Sequence, residues 1–424
     1  MKPLKDWLKR RRISAITREW RKEKAELNGV PSRAIRRVVI IPSDPWSLVG
    51  ARGDEAMMMA VTCRLRLGIP DLDVAVVVAT HEATLAASRM GFRPLKIWCN
   101  KGFMPMFRGI FSENVDLLIV LGADVMDGFY DTQTSLRLLA VADLCARSGI
   151  RSVLLGFSFN EHPASEVVDM FNGVTGHLKI NIRDPISLRR FKKYIYSATP
   201  RLVADTAFML EPDNDGKTYA YLSEWVNGHH SEGRVAVAFN VHPVLVKGLG
   251  EAAVAQLIQS SIDSLRSLML GRAVSLVLMA HDYRGLEGDD TCLKPIYQEL
   301  RIDFPARVFF LEERLSAAQL KGCAGLMDGV VTGRMHLAIA ALGMGVPTAA
   351  LTYQDKFQGL FEHFSLPQDL LLAPSKALKP SDLLGMLLCL VDQLPILRQQ
   401  IAKALPHVGS MASLNIDGLT NLKI

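Results

Sequence analysis

The sequence predicts an α/β protein built as two tandem Rossmann-like domains with a cleft between them, and three observations carry that prediction. A chain of 424 residues is too long for one ordinary core. Short runs rich in Val, Ile and Leu alternate with longer helix-period segments, the signature of parallel strands covered on both faces. That rhythm breaks once, over a polar, glycine-containing stretch at residues 211–233, and then resumes. The composition, 49% hydrophobic and 22% charged, is that of a well-packed globular chain.

The first 35 residues form a basic extension. Thirteen Lys or Arg against four Asp or Glu fall within residues 1–37, so the remainder sums to −3 although the whole chain carries +6. Leu4, Trp7 and Leu8, then Ile13, Ile16 and Trp20, recur at roughly helical spacing around "KRRR". Two readings stand open: an amphipathic helix over residues 1–30 on an anionic membrane surface, or a solvated extension. Nucleic acid is not expected as a partner, because the body shows no matching basic excess.

From Arg37 the pattern is regular. Residues 38–42, 73–80, 116–124 and 151–159 read as buried strands, with helices over 54–66 and 135–149 and a strand turning into a helix over 180–194. This gives a first α/β domain over 36–210 and a linker over 211–233. A second domain over 234–375 has strands at 234–243, 274–282, 307–313, 328–334 and 347–353 and a helix over 250–270, and a helical segment over 376–424 follows.

Six cysteines lie scattered without a CxxC pair, which argues against a disulfide framework or structural zinc and fits a reducing compartment. No run reaches the ~18 apolar residues of a spanning helix. The charged N-terminus lacks the apolar core of a secretory signal. The expected location is cytoplasmic, peripheral at the inner face of the cell membrane if the tail binds there.

Open parallel sheets bind ligands beyond the carboxyl ends of their strands. In the second domain those ends carry Asn240 and His242, His281 and Asp282, Glu312 and Glu313, Arg334 and His336, then Tyr353 and Lys356. The richest stretch is "VVTGRMHLAIAALGMGVPTAAL" (330–351), where a fixed charge and a titratable ring interrupt two apolar runs. Gly333 allows a tight turn and a helix starts near Arg334 or Met335, so free N–H groups, a guanidinium fork and an imidazole coincide. Equally, His336 reads as a core histidine and Arg334 as a surface cap.

"GRMHLAIAALGMGVPTAALTY" resembles the Arg-x-His signature of the polysaccharide pyruvyl transferase family. Other pieces fall in that family's order: "VGARGDEAMM" (49–58), "LGADVMDG" (121–128) in place of a glycine run, "INIRDPISLRRF" (180–191) and "RLVADTAFML" (201–210). The likeness covers roughly residues 36–370. The sequence departs from the pattern in its first loop, "PSDPWSLVGARGD", and at Ala123 and Asp124.

The resemblance implies a glycosyltransferase-B-like pair of domains and a donor, phosphoenolpyruvate, used as substrate with no cofactor or metal. The acceptor is a glycan or lipid-linked sugar of the cell envelope. Arg334 is carried over as an anion clamp and His336 as proton donor or phosphate ligand. Arg183 is a substrate-binding candidate whose alternative is a structural Arg183–Asp184 cap. Asp54 is a candidate base for the acceptor hydroxyl whose alternative is a helix N-cap. His242, His281 and Lys356 are further substrate-binding candidates. A nucleotide-sugar glycosyltransferase of the same shape, with Glu312 or Glu313 on a ribose, and a catalytically inactive glycan-assembly partner remain alternative readings.

Overall fold

The computed structural model describes residues 2–30, 34–352 and 356–419. The side chain of Leu4 and the whole of Tyr353 lie outside the described residues. The chain divides into two compact units. The first takes residues 1–49, 57–209 and 410–424, and the second takes 50–56 and 210–409.

The first unit is a seven-stranded sheet: β1 (Arg37–Ile41), β2 (Asp73–Val77), β3 (Arg93–Leu95), β4 (Leu117–Val120), β5 (Arg151–Phe157), β6 (Leu178–Ile182) and β7 (Pro200–Leu202). Its order is β3-β2-β1-β4-β5-β6-β7, with every neighbouring pair parallel. Its helices are α1 (Lys2–Glu23), α2 (Arg52–Gly68), α3 (His81–Arg89), α4 (Met104–Ser112), α5 (Thr132–Arg147), α6 (Ser165–Phe171) and α7 (Pro185–Tyr194). The first turn of α2 clusters with the second unit. Strands such as "RVVII" and "LLIV" are buried along almost their whole length because helices cover both sheet faces.

The second unit is a six-stranded parallel sheet of β8 (Val235–Asn240), β9 (Val274–Met279), β10 (Val308–Leu311), β11 (Gly329–Thr332), β12 (Thr348–Leu351) and β13 (Leu371–Leu372). The order is β10-β9-β8-β11-β12-β13. Helices α8 (Lys217–Ser231), α9 (Ala253–Gly271), α10 (Asp290–Asp303), α11 (Ala317–Gly325), α12 (Met335–Gly343) and α13 (Lys356–Phe364) connect them. Three more helices follow at Pro374–Ala377, Pro380–Asp392 and Leu394–Ser413. In α9 the buried Leu257, Ser261, Ser264, Leu265 and Leu268 recur at three- and four-residue spacing, one face of a 3.6-residue period.

Three stretches differ from the expectation. Residues 217–231, expected within a linker, form α8, which buries Leu222, Val226 and His229 at four- and three-residue spacing. The end of the C-terminal segment returns to the first unit. There Asn415 Oδ1 accepts from the Gly156 amide at 2.8 Å and its Nδ2 donates to the Ala204 carbonyl at 2.9 Å.

The N-terminal extension is helix α1, and the second half of its apolar stripe belongs to the core: Ile13, Ile16 and Trp20 are buried beside α5 residues. Trp20 Nε1 donates to Asp143 Oδ2 at 2.7 Å, and that buried carboxylate also receives Arg147 Nε at 3.0 Å and the Thr175 amide at 2.6 Å. Among the described side chains of the stripe, Trp7 and Leu8 stay exposed, next to Lys9, Arg10, Arg11 and Arg12. Among the described residues no single helix is long and apolar enough to cross a membrane.

The two loops that depart from the family's glycine pattern hold non-glycine residues in the left-handed region, Leu48 at φ 60° and Ala123 at φ 41°. Such a conformation is costly for a residue with a Cβ and persists only where the surroundings hold it.

The packing of α1 gives a direct test. Trp20→Ala should lower the stability of the first unit by about 3–5 kcal/mol in urea unfolding, the usual cost of emptying a buried aromatic site. Trp7→Ala should change it by less than about 0.5 kcal/mol.

Candidate functional site

The carboxyl ends of β8, β9 and β11 converge on one buried carboxylate, Asp289, in the turn just before α10. Its Oδ2 accepts from Asn240 Nδ2 at 2.7 Å, the His281 amide at 2.7 Å and the Asp282 amide at 3.1 Å. Its Oδ1 accepts from Arg334 Nε at 2.8 Å and Nη2 at 2.7 Å. Thr332 closes the circuit: its hydroxyl donates to Asn240 Oδ1 at 3.0 Å and accepts the Arg334 amide at 2.9 Å. Asp289, Asn240 and Thr332 are fully buried. Burial pushes the Asp289 carboxyl up, while Arg334 and the hydrogen bonds from His281 and Asn240 pull it back down.

Arg334 is the residue before α12, with extended backbone and no side-chain capping bond. Its fork is occupied: besides Asp289, Nη1 lies 3.1 Å from Asp282 Oδ2 and Nη2 donates to the Glu287 carbonyl at 3.2 Å. Asp282 in turn holds Arg284 at 2.7 Å. Arg334 therefore brings a fixed positive charge, already oriented by two carboxylates, rather than an open bidentate clamp.

Gly333 makes the bend between β11 and α12 without a positive φ. A Cβ there would fall 2.6 Å from Leu245 Cδ1 and 3.0 Å from His242 Nε2, so glycine is needed for close approach. The His242 ring uses that space: Nε2 lies 3.2 Å from the Gly333 carbonyl, and its buried Nδ1 has no hydrogen-bond partner among the described residues.

Residues 50–56 belong to this unit and add a second helix start. Ala51 bridges Asp282 antiparallel, the Arg52 amide donates to the His281 carbonyl at 3.3 Å, and the Tyr283 amide donates to the Gly50 carbonyl at 2.9 Å. Gly53, in the first turn of α2, lies against His336: a Cβ would meet its Nδ1 at 2.4 Å. Arg52 pairs with Glu55 at 2.7 Å, and Glu55 Oε1 also receives the Ala317 amide at 3.0 Å. The Arg52 guanidinium lies 5.2 Å from the Tyr283 ring centroid, with its Nε buried and unbonded among the described residues.

His242, His281 and His336 thus gather around Arg334 between the starts of α2 and α12. Burial is the main cause that drives the His242 and His281 rings well below the ordinary 6.5. Arg334 adds to it for His242; His336, Arg334 and Arg52 add to it for His281. Lys356, at the start of α13, also acts on His242. No group of three or more His, Cys, Asp or Glu able to hold a metal occurs among the described residues.

Of the sequence candidates, Arg334, His336, His242, His281 and Lys356 belong to this site. Asp54 lies buried in the first turn of α2, inside the helix rather than at its N-cap, because α2 begins at Arg52. Arg183 is accounted for in the first unit, where its Nε donates to Ser158 Oγ at 2.7 Å and Nη1 pairs with Asp205 at 3.2 Å. Its neighbour Asp184 caps α7 through the Ser187 amide at 2.7 Å. Glu313, proposed for a ribose in the alternative reading, hydrogen-bonds the Thr218 hydroxyl of α8. Asp289 and Arg52 are not among the sequence candidates, because neither ends an apolar strand run or stands out in the local pattern.

The family model for polysaccharide pyruvyl transferase matches residues 4–355 of the chain. A comparison with curated proteins found no match. Similar solved structures include the UDP-GlcNAc 2-epimerase of Neisseria meningitidis bound to UDP-GlcNAc. It is 12% identical with a TM-score of 0.59, over 90% of this chain and 98% of that one. A glycosyltransferase from Rickettsia africae ESF-5 is 8% identical with a TM-score of 0.55, over 91% and 100%. The Methanocaldococcus jannaschii UDP-GlcNAc 2-epimerase in complex with UDP-GlcNAc and UDP is 10% identical with a TM-score of 0.52, over 84% and 93%. At these identities the likeness is one of fold, and it is the expected glycosyltransferase-B-like, two-domain α/β architecture.

The neutral histidines predict a pH dependence. A ring whose folded value is depressed stays neutral in the native state but takes a proton in the unfolded chain below 6.5, so acid favours unfolding. The second unit should therefore lose stability as pH falls from about 7.5 to about 5.5, and His242→Gln or His281→Gln should each shrink that loss. Equal losses in wild type and variants, read from urea midpoints, would contradict the assignment of neutral rings.

Proposed function

The chain belongs to the polysaccharide pyruvyl transferase family, an enzyme family, and from that premise we propose that it moves a pyruvyl group from phosphoenolpyruvate to a sugar of a cell-surface polysaccharide or its precursor. The observation that supports this reading is the gathering of three imidazoles around an oriented guanidinium at the starts of α12 and α2.

The chemistry needs those groups. One proton goes to the enol carbon of the donor, leaving an oxocarbenium-like centre at C2. A sugar hydroxyl adds to C2 and gives up its proton. A second hydroxyl then displaces phosphate by C2–O cleavage, and its proton is released as the ketal closes. In this reading His336 delivers the first proton or holds the departing phosphate, and Asp54 accepts a proton from the acceptor hydroxyl. Arg334, Lys356 and the two helix starts supply positive potential for the donor's carboxylate and phosphate. His242 and His281 complete the binding surface. Because each guanidinium here already faces a carboxylate, an incoming polyanion favours protonation of the neutral His242 and His281 rings.

The reading is tested by ligand-dependent thermal unfolding of the full chain. Phosphoenolpyruvate should raise the midpoint more than inorganic phosphate or pyruvate, and UDP-sugars should not raise it. His336→Gln should keep appreciable donor binding but slow phosphate release with acceptor by about 10²-fold or more. Stabilisation by a UDP-sugar alone would favour the glycosyltransferase reading instead.

A further inference from the structure

The first unit carries a feature that this donor chemistry does not use. In its sheet the chain runs from β1 outward through β2 and β3, and from β4 outward the other way, so the topological switch point lies between β1 and β4. Ligands of open parallel sheets bind at the carboxyl edge at such a point. The loop leaving β1 exposes Trp46, and the loop leaving β4 exposes Phe129 and Tyr130, at 41%, 50% and 49%. Rings that exposed contribute little to the core, so their placement calls for another explanation.

The rings are held rather than loose. Trp46 meets Trp98 edge-on, with centroids 5.2 Å apart at 74°. The Trp46 amide donates to Asp44 Oδ1 at 3.0 Å, and Thr80 Oγ1 donates to the Trp46 carbonyl. Trp98 is fixed by its Nε1 bond to Asn100 Oδ1 at 2.7 Å and by the buried Arg137, whose guanidinium carbon lies 5.5 Å from the ring centroid. Arg137 donates to the Cys99 carbonyl at 3.1 Å and stands 3.9 Å from Asp131, the residue after Tyr130. Arg137 thereby links Trp98 to the loop segment that carries Phe129 and Tyr130. Phe129 and Tyr130 meet at 90°, and the Tyr130 hydroxyl donates to Asp124 Oδ2 at 3.3 Å. Each of the two switch-point loops also holds a non-glycine residue at positive φ, Leu48 and Ala123.

We infer that Trp46, Trp98, Phe129 and Tyr130 form a subsite for one pyranose ring of the acceptor glycan. The apolar C–H face of a sugar matches the electron-rich face of an aromatic ring. Its equatorial hydroxyls match carboxylate and amide oxygens such as those of Asp44, Asn100 and Asp124. These loops offer both at one sheet edge. This inference rests on the pyruvyl-transfer reading for the name of its ligand but not for its geometry.

The test uses the full chain on an array of immobilised hexose and hexosamine oligosaccharides, with phosphoenolpyruvate-dependent thermal unfolding measured on the same samples. Wild type should bind a subset of sugars, Trp46→Ala and Phe129→Ala should bind them at least about tenfold more weakly, and Trp46→Tyr should restore most of the binding. The donor-induced shift should be the same in all four proteins. Sugar binding unchanged in both alanine variants, or no sugar bound by wild type, would overturn the subsite. Absence of the donor shift with intact sugar binding would instead count against the pyruvyl-transfer reading alone.

Discussion

One buried carboxylate organises the second unit's working edge. Asp289 accepts from Asn240, from two backbone amides after β9 and from Arg334. Thr332 links Asn240 back to the Arg334 amide. Three strand ends and the start of α12 are thereby tied into one closed ring of hydrogen bonds inside a dry environment. Breaking a buried, hydrogen-bonded charge pair by removing one partner typically costs about 3–5 kcal/mol, which makes such a ring rigid as well as stable. Polar networks of this kind fix one arrangement because any half-made alternative leaves a buried group unsatisfied.

The character of the site follows from that ring. Arg334, Arg284 and Arg52 each face a carboxylate, so the cluster is not a bare cationic pocket waiting for phosphate. What is left to respond to an incoming anion is the set of imidazoles, two of which burial keeps neutral. A site that holds its guanidinium groups in place and His242 and His281 uncharged suits a reaction in which protons move as the ligand charge changes. The close approaches at Gly333 and Gly53 bring His242 and His336 into this frame.

Much of this was legible in the sequence. Apolar runs mark the long central strands, and Arg334 and His336 at the end of β11 mark the candidate site. The short edge strands β3, β7 and β13 were not visible, because two or three residues carry no periodicity and "RPL" begins like a turn. Helix α8 has the composition of a linker because His, Asn and Gly dilute its apolar positions. The tail stripe has helical spacing, but its partner Asp143 lies 123 residues away, and no local pattern announces that a basic helix will bury Trp20 against it. Asp289 is hidden for the same reason: its partners Asn240 and Arg334 lie at the ends of β8 and β11, far off in sequence. The strained Leu48 and Ala123 show a further limit, since backbone sign is set by the surrounding fold and not by the residue that adopts it.

On the proposed reading, Asp289 holds the phosphoenolpyruvate-binding edge in working order through Arg334 and the amides of His281 and Asp282. Calorimetric titration of the Asp289→Asn chain with phosphoenolpyruvate tests it most directly. The substitution keeps the size of the side chain but turns one acceptor oxygen into a donor facing other donors. Phosphoenolpyruvate binding should be lost or weakened at least about tenfold while the first unit stays folded, as read from the exposure of Trp20. Binding of phosphoenolpyruvate by Asp289→Asn with wild-type affinity would contradict it.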